Sequence, residues 1–216
     1  MLVLALDTSS AAVSAAVVEV GYGAIELVSA HRTINARGHG EYLAPMIRDS
    51  LHDAGATTAR LGAIVAGTGP GPFTGLRVGL VTAAVMSQTL DIPVYGVCSL
   101  DGLAASDGSL LVATDARRRE VYWARYDART RVDGPHVSKP ADVPLAGIEA
   151  AAGAGARLYA EVLGLPIVGD DYPDPARLVG VARDRIESGA PADPLTPLYL
   201  RRPDAEIPGA PKAVSQ

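Results

Sequence analysis

Cysteine is almost absent: the 216 residues contain one, Cys98. An intrachain disulfide needs two, so no disulfide framework exists, and the same count excludes zinc ribbons and CxxC redox pairs. A reducing, cytoplasmic setting fits that count. Aromatic residues are scarce, at 5% with one Phe and one Trp, so the core has to be built from Ala, Val, Leu and Ile. Excess positive charge is also missing. The formal net charge is −5, which lacks the basic footprint of an autonomous nucleic-acid binder. No apolar run reaches the ~18 residues of a membrane span, so no membrane partner is expected. The apolar start, Met1 to Leu6, has no basic region before it and stops at Asp7, unlike a signal peptide. The four histidines (His31, His39, His52, His136) form neither H-x-x-x-H nor H-E-x-x-H, so no metal is expected. A G-x-S-x-G elbow and a G-x-x-x-x-G-K-[ST] phosphate loop are both missing.

What remains is a globular chain, 48% hydrophobic and 20% charged, with 23 Gly and 16 Pro. That composition can bury a core and excludes global disorder. Residues 2–6 are continuously apolar and predict a strand buried on both faces. Residues 11–20 and 24–33 predict two further strands around a turn at Gly21-Tyr22-Gly23. From Glu41, the residues Leu43, Met46, Ile47, Leu51 and Ala54 recur at helical spacing, with Gly55 as the stop. A strand over 61–66 leads through a Gly/Pro-rich loop into a helix from about Thr74 to Leu90, with Thr74 as its N-cap. Pro93 to Val97 reads as a short strand. The second half then restarts: Leu110 to Asp115 repeats the apolar-strand-then-Asp of Leu2 to Asp7 at an offset of 108 residues, half the chain. Each is followed by a polar turn and a second strand, which suggests duplicated lobes. Pro135, Pro140 and Pro144 break up residues 135–148. Residues 157–168 and 176–187 are read as a strand and a helix. We expect lobes at 1–105 and 106–202, and a frayed tail over 203–216.

Three segments carry the chemistry. Asp7, at a strand end and followed by Thr8, could position a phosphate; the bland reading is an Asx/Ser turn closing a hairpin, and that reading is preferred. The loop from Gly67 to Gly75, with Gly69, Gly71 and Thr74, precedes a helix and could expose N–H groups to an anion. Two prolines remove donors from it, which favours a tight structural connection. In the helix after it, Gly75, Gly79, Ala83 and Met86 recur at spacings of four, four and three. Glycine inside a helix costs roughly 0.5–1 kcal/mol against Ala, so something has to approach Gly79 closely: the chain's own sheet or first helix, or another protein. Arg117, Arg118 and Arg119 read as a solvated hairpin tip, with RNA phosphate contact as the sharper option.

Five segments, in order from residue 2 to about 202, resemble the bacterial TsaB (YeaZ) family. They are Leu4-Ala5-Leu6-Asp7-Thr8-Ser9, Arg37 to Pro45, Gly67 to Gly79, Asp115 to Tyr122, and Pro197-Leu198-Tyr199-Leu200-Arg201. The glycine segment is the most specific. The family's commonest form has Ser where this sequence has Pro72, and Ser where it has Gly40. The resemblance implies an α/β, two-lobed actin/Hsp70/sugar-kinase-like (ASKHA) fold with duplicated mixed β-sheet lobes. It implies a role in making N6-threonylcarbamoyladenosine at position 37 of tRNA. There the family member binds and activates a catalytic paralogue, TsaD, with the ATPase TsaE joining the complex. TsaD holds its metal with an H-x-x-x-H motif that this sequence lacks, so the family's part is non-catalytic. Carried over by position, the partner interface would include Tyr42, Met46, Leu76, Gly79, Leu80 and Ala83, and the same surface would form a homodimer in isolation. tRNA would be met only through the complex. No cofactor of its own is implied, with room left for ATP or ADP at a shared interface. The competing reading is a stand-alone actin-fold ATPase or phosphotransferase, which accounts for Asp7, Asp115 and the duplication but not for the missing glycine after Asp7. A stand-alone peptidase has no support beyond the presence of Ser, His and Asp.

Overall fold

A computed structural model describes residues 1–21 and 23–201; the tail expected over 203–216 lies outside the described residues. The chain folds into two mixed sheets with one plan. In the first sheet, β1 (Leu2–Asp7) pairs antiparallel with β2 (Ala12–Gly21) and parallel with β4 (Leu61–Gly67). Outside them lie β3 (Ala24–Ile34) and β5 (Val94–Val97), giving the order β3-β2-β1-β4-β5. In the second, β6 (Leu110–Asp115) pairs antiparallel with β7 (Val121–Asp127) and parallel with β9 (Ala150–Ala152). With β8 (Thr130–Ser138) at its edge, that sheet has the order β8-β7-β6-β9. Removing β5 makes the two orders correspond strand for strand. The 108-residue offset in sequence is thus a repeated topology, the two-lobed ASKHA-like architecture.

Burial of β1 on both faces follows from its alternation. Leu4 and Leu6 point into one cluster with Val13, Ala15, Ile64 and the helices α1 (His39–Asp53) and α2 (Phe73–Leu90). Val3 and Ala5 point the other way, into a cluster with Ala16, Val18, Val65 and Tyr95. That second face is covered by α5 (Pro175–Glu187), through Leu178, Val179, Ala182 and Ile186. The start of α5 is written in its sequence: Asp174 caps it by accepting from the Ala176 N–H at 2.9 Å, and Pro175 takes the first helical position, where a missing N–H costs nothing. Burying a Leu, Val or Ile side chain is worth about 1.5–3 kcal/mol, so Leu178, Val179 and Ile186 tie α5 firmly to the first sheet. Within the stretch 106–202, assigned by sequence to the second lobe, this helix therefore packs on the first.

The second sheet is closed by the short helices α3 (Ala154–Leu158) and α4 (Ala160–Leu163) on one face. On the other lies the 3-10 turn Ser99–Leu103 that links the lobes. Tyr126 donates to Asp101 Oδ1 at 2.7 Å, and Arg131 lies 3.3 Å from the same oxygen, pinning the linker to the second sheet. Burial pushes the buried Cys98 thiol up to about 12, which leaves it inert. Three local expectations are corrected. Residues 157–168 hold the end of α3, all of α4 and an isolated bridge at Ile167, and the strand is β9. Pro135 does not end the chain's order but lies within β8. There Trp123 pairs with His136 and Arg125 with Asp133, so Gly134-Pro135 bulges out of register on an edge strand that needs no donor from it. Thr74 is not the N-cap of α2: Pro72 holds that place in an extended conformation without a side-chain bond, and Thr74 is exposed in the first turn.

Candidate partner-binding helix and interlobe cleft

The end of β1 is a sealed polar knot. Asp7 Oδ1 accepts from the Ser9 N–H at 3.0 Å and the Ser9 hydroxyl at 2.8 Å, the Asx turn expected of a hairpin. Its other oxygen, Oδ2, is buried with no hydrogen-bond partner, against Gly67 and the Ser99 hydroxyl. The Thr8 hydroxyl donates to Gly75 O at 2.8 Å and accepts from Gly79 N–H at 3.0 Å. It therefore joins the two groups that would pair as i and i+4 within α2. His39 Nε2 lies 2.8 Å from Ser10 O, closing the turn from the start of α1. Gly71 sits directly on the Ser9 backbone, where a Cβ would overlap the carbonyl oxygen. The glycine loop thus lies on Asp7 and its turn: Gly67 packs on the buried carboxylate, Gly71 on Ser9, and Gly69 N–H donates to the Ser99 hydroxyl at 3.1 Å. The second lobe repeats the Asx turn in the open: Asp115 Oδ1 accepts from Arg117 N–H at 2.8 Å.

Burial pushes the Asp7 carboxyl above the usual carboxylate range, while the neighbouring Ser99 hydroxyl, the bonds from Ser9 and the charge of Arg32 pull it back. A carboxyl raised on folding binds its proton more readily in the native state. Its contribution is therefore complete below the unfolded value, near 3.8, and is lost as pH rises through the folded value. Asp7→Asn keeps the acceptor for Ser9 and removes that loss. Thermal midpoints followed from acid to neutral pH should show the wild type losing stability relative to Asp7→Asn as pH rises. A variant less stable than wild type at neutral pH would contradict this account.

The two faces of α2 have distinct surroundings. Gly75, Leu76, Gly79, Leu80 and Ala83 are buried against β1, β4 and α1. Met46 of α1 is buried in the same cluster. Of the residues expected at a partner surface, five (Met46, Leu76, Gly79, Leu80 and Ala83) are thus turned into the chain's own core, and Tyr42 alone is exposed, at 36%. The small stripe exists to admit Thr8 and the sheet: a Cβ on Gly79 would overlap the Thr8 hydroxyl. Sequence reading missed the opposite face. Val81 is 58% exposed and Val85 55% exposed, with the exposed Ala84 beside them. Across its 18 residues α2 carries one charge, Arg77. A helix with its outer face in water ordinarily has charged residues there.

At the start of α2 the lobes meet. Phe73 stacks on Tyr199 with ring centroids 5.1 Å apart, and the Arg77 guanidinium lies 4.2 Å above the Phe73 ring. Arg77 Nε donates to the Tyr199 hydroxyl at 2.9 Å. Residues 190–201 run as a strap without regular structure. Leu198 N–H bonds Thr68 O at 2.8 Å, and Arg201 pairs with Glu120 of the second lobe. The Phe73 ring borders a cavity of about 550 Å³ lined by Tyr122, Tyr199, Arg117 and Arg201, and another of about 380 Å³ lined by Arg37, His39 and Arg117. Arg117, Arg118 and Arg119 all have positive φ, 59°, 53° and 60°. That conformation costs roughly 1–2 kcal/mol per residue without glycine. No group of three or more His, Cys, Asp or Glu that could hold a metal occurs among the described residues. No helix among them is long and apolar enough to cross a membrane.

Comparison with known proteins adds to this geometry. The family model described as "TsaD: tRNA N6-adenosine threonylcarbamoyltransferase" matches residues 30–170. An uncharacterized protein of Mycobacterium tuberculosis is 48% identical over 205 residues, covering 94% of this chain and 93% of its own. The tRNA threonylcarbamoyladenosine biosynthesis protein TsaB of Escherichia coli is 36% identical over 132 residues, 58% of this chain and 55% of its own. The solved structure of YeaZ from Pseudomonas aeruginosa superposes with a TM-score of 0.77 at 29% identity, covering 92% of this chain and 99% of that one.

Proposed function

Since the chain belongs to the TsaB (YeaZ) family, we propose that it acts in threonylcarbamoyladenosine synthesis as a non-catalytic subunit. It docks on the catalytic paralogue TsaD through the outer face of α2, with TsaE joining the assembly in the cytoplasm. The observation that carries this reading is the apolar surface of Val81, Ala84 and Val85 on a helix with a single charge. The sealed Asp7 turn supports the non-catalytic part. A nucleotide phosphate has no route to a fully buried carboxylate packed against Gly67, with Gly71 seated on the Ser9 of its turn, so any ATP or ADP belongs to an interface shared with the partner. In isolation the same α2 face pairs with a second copy of itself.

Activation then works by selection. A subunit that binds one conformation of TsaD better than another shifts the population toward it by the difference in affinity. Each tenfold of preference is worth about 1.4 kcal/mol. The test is reconstitution: purified TsaD, threonylcarbamoyl-adenylate and unmodified tRNA, with and without this protein, with the modified nucleoside measured by mass spectrometry. A strong rise in product on addition, with no ATP turnover by the pure chain, is expected. Unchanged product, or steady ATP hydrolysis by the chain alone, would overturn the reading.

A further inference from the structure

The tip of the β6–β7 hairpin gathers three consecutive arginines, Arg117 to Arg119. Arg117 and Arg119 are exposed, and among the described residues neither has an ion pair. The nearby acids are already engaged: Asp115 caps the Arg117 N–H, and Glu120 pairs with Arg201. Arg37, exposed and on the other lobe, lines the same 380 Å³ cavity as Arg117. The strained backbone of the tip is held from several sides. Ala116 N–H bonds Glu120 O at 3.0 Å, Glu120 N–H bonds Arg117 O at 2.9 Å, and Arg201 donates to Arg117 O at 3.3 Å. Strain retained by so many bonds marks a conformation that is used. Arg117 and Arg119 on one lobe and Arg37 on the other are separate exposed cations along an open cleft rim. Cations spread in this way match phosphates spaced along a strand, while a free nucleotide calls for a pocket burying most of its surface.

We infer that the Arg117–Arg119 tip, with Arg37 across the cleft, is a contact site for the phosphate backbone of RNA. The chemistry it recognises is the phosphate group, and the source is a polynucleotide. The binding is electrostatic and carries no base preference of its own. It sits apart from the α2 face, so one surface holds protein and another holds nucleic acid.

The test uses the isolated full chain and a short fluorescein-labelled single-stranded RNA, with anisotropy read between about 50 and 200 mM salt. Three phosphate contacts predict a slope of log affinity on log salt near −2, at about −0.7 per contact. Arg117→Asn with Arg119→Asn keeps a residue type that tolerates positive φ and should flatten the slope by about 1.4. Arg37→Gln should flatten it by about half as much, and thermal midpoints confirm that both variants are folded. AMP and ATP are added in excess as competitors. Little displacement by either fits a polynucleotide, whereas displacement as effective as unlabelled RNA would assign a mononucleotide pocket and overturn the proposal. Absent binding at low salt, or a slope untouched by the substitutions, overturns it as well. Because the readout needs no TsaD, its failure is distinct from failure of the activating-subunit reading.

Discussion

Gly71→Ala is expected to cost this protein about 3 kcal/mol of stability, a large share of the roughly 5–15 kcal/mol that holds a domain together. The added Cβ would overlap the Ser9 carbonyl oxygen and stand 2.8 and 2.9 Å from Ser9 C and Cα. All three are backbone atoms, so no rotamer change relieves the clash. The turn cannot drift away either: Asp7 holds Ser9 through two hydrogen bonds, and Thr8 is locked between Gly75 and Gly79. In a chain of this length, about 3 kcal/mol lowers the thermal midpoint by roughly 6–12 °C. Gly40→Ala is the control. Nothing lies within 4 Å of a Cβ there, and in the first turn of α1 alanine is favoured by roughly 0.5–1 kcal/mol. Its midpoint should hold or rise. Equal midpoints for the two variants would mean that the glycine loop does not rest on the β1–β2 turn as described.

The same contact explains which parts of the site were legible in sequence. The Asx turn at Asp7 was, because its partner is two residues away. The duplication was, because Leu2 to Asp7 and Leu110 to Asp115 spell one strand and one turn twice. The direction faced by Gly75, Gly79 and Ala83 was not. Small residues on a helix announce a close neighbour without naming it, and the neighbour is Thr8, some 71 residues from Gly79. The expected interface residues therefore went to the core, and the outer face passed unnoticed because isolated valines look like core residues in a string. For the same reason α5 was recognisable as a helix, but not as cover for the first sheet rather than the second. The hairpin tip was legible as a turn with three arginines, but its backbone conformation was not. Three arginines at positive φ run against the preference for Gly or Asn there, and the network through Asp115, Glu120 and Arg201 helps to hold them.

Val81→Glu with Val85→Glu should separate folding from partner binding more sharply than any change at Gly79. A charge at Gly79 would force the Thr8 hydroxyl out of α2 and test the fold. Val81 and Val85, at 58% and 55% exposed, touch little within the chain, and surface changes of this kind usually stay within about 0.5 kcal/mol. Far-UV spectra and thermal midpoints should match the wild type. Docking is a different matter. Two valines buried in a complex contribute about 1.5–3 kcal/mol each, and two carboxylates would have to be desolvated in their place without a counter-ion. A loss of only 2.8 kcal/mol is already about a hundredfold in affinity, so co-elution with TsaD, and self-association of the isolated chain, should both disappear. In cells depleted of the native protein, the wild-type gene should restore threonylcarbamoyladenosine in bulk tRNA and the double variant should not. A folded variant that still binds TsaD and restores the nucleoside would move the partner surface off α2. The exposed Tyr42 on α1 and the Phe73–Tyr199 stack at the cleft would then be the next surfaces to substitute.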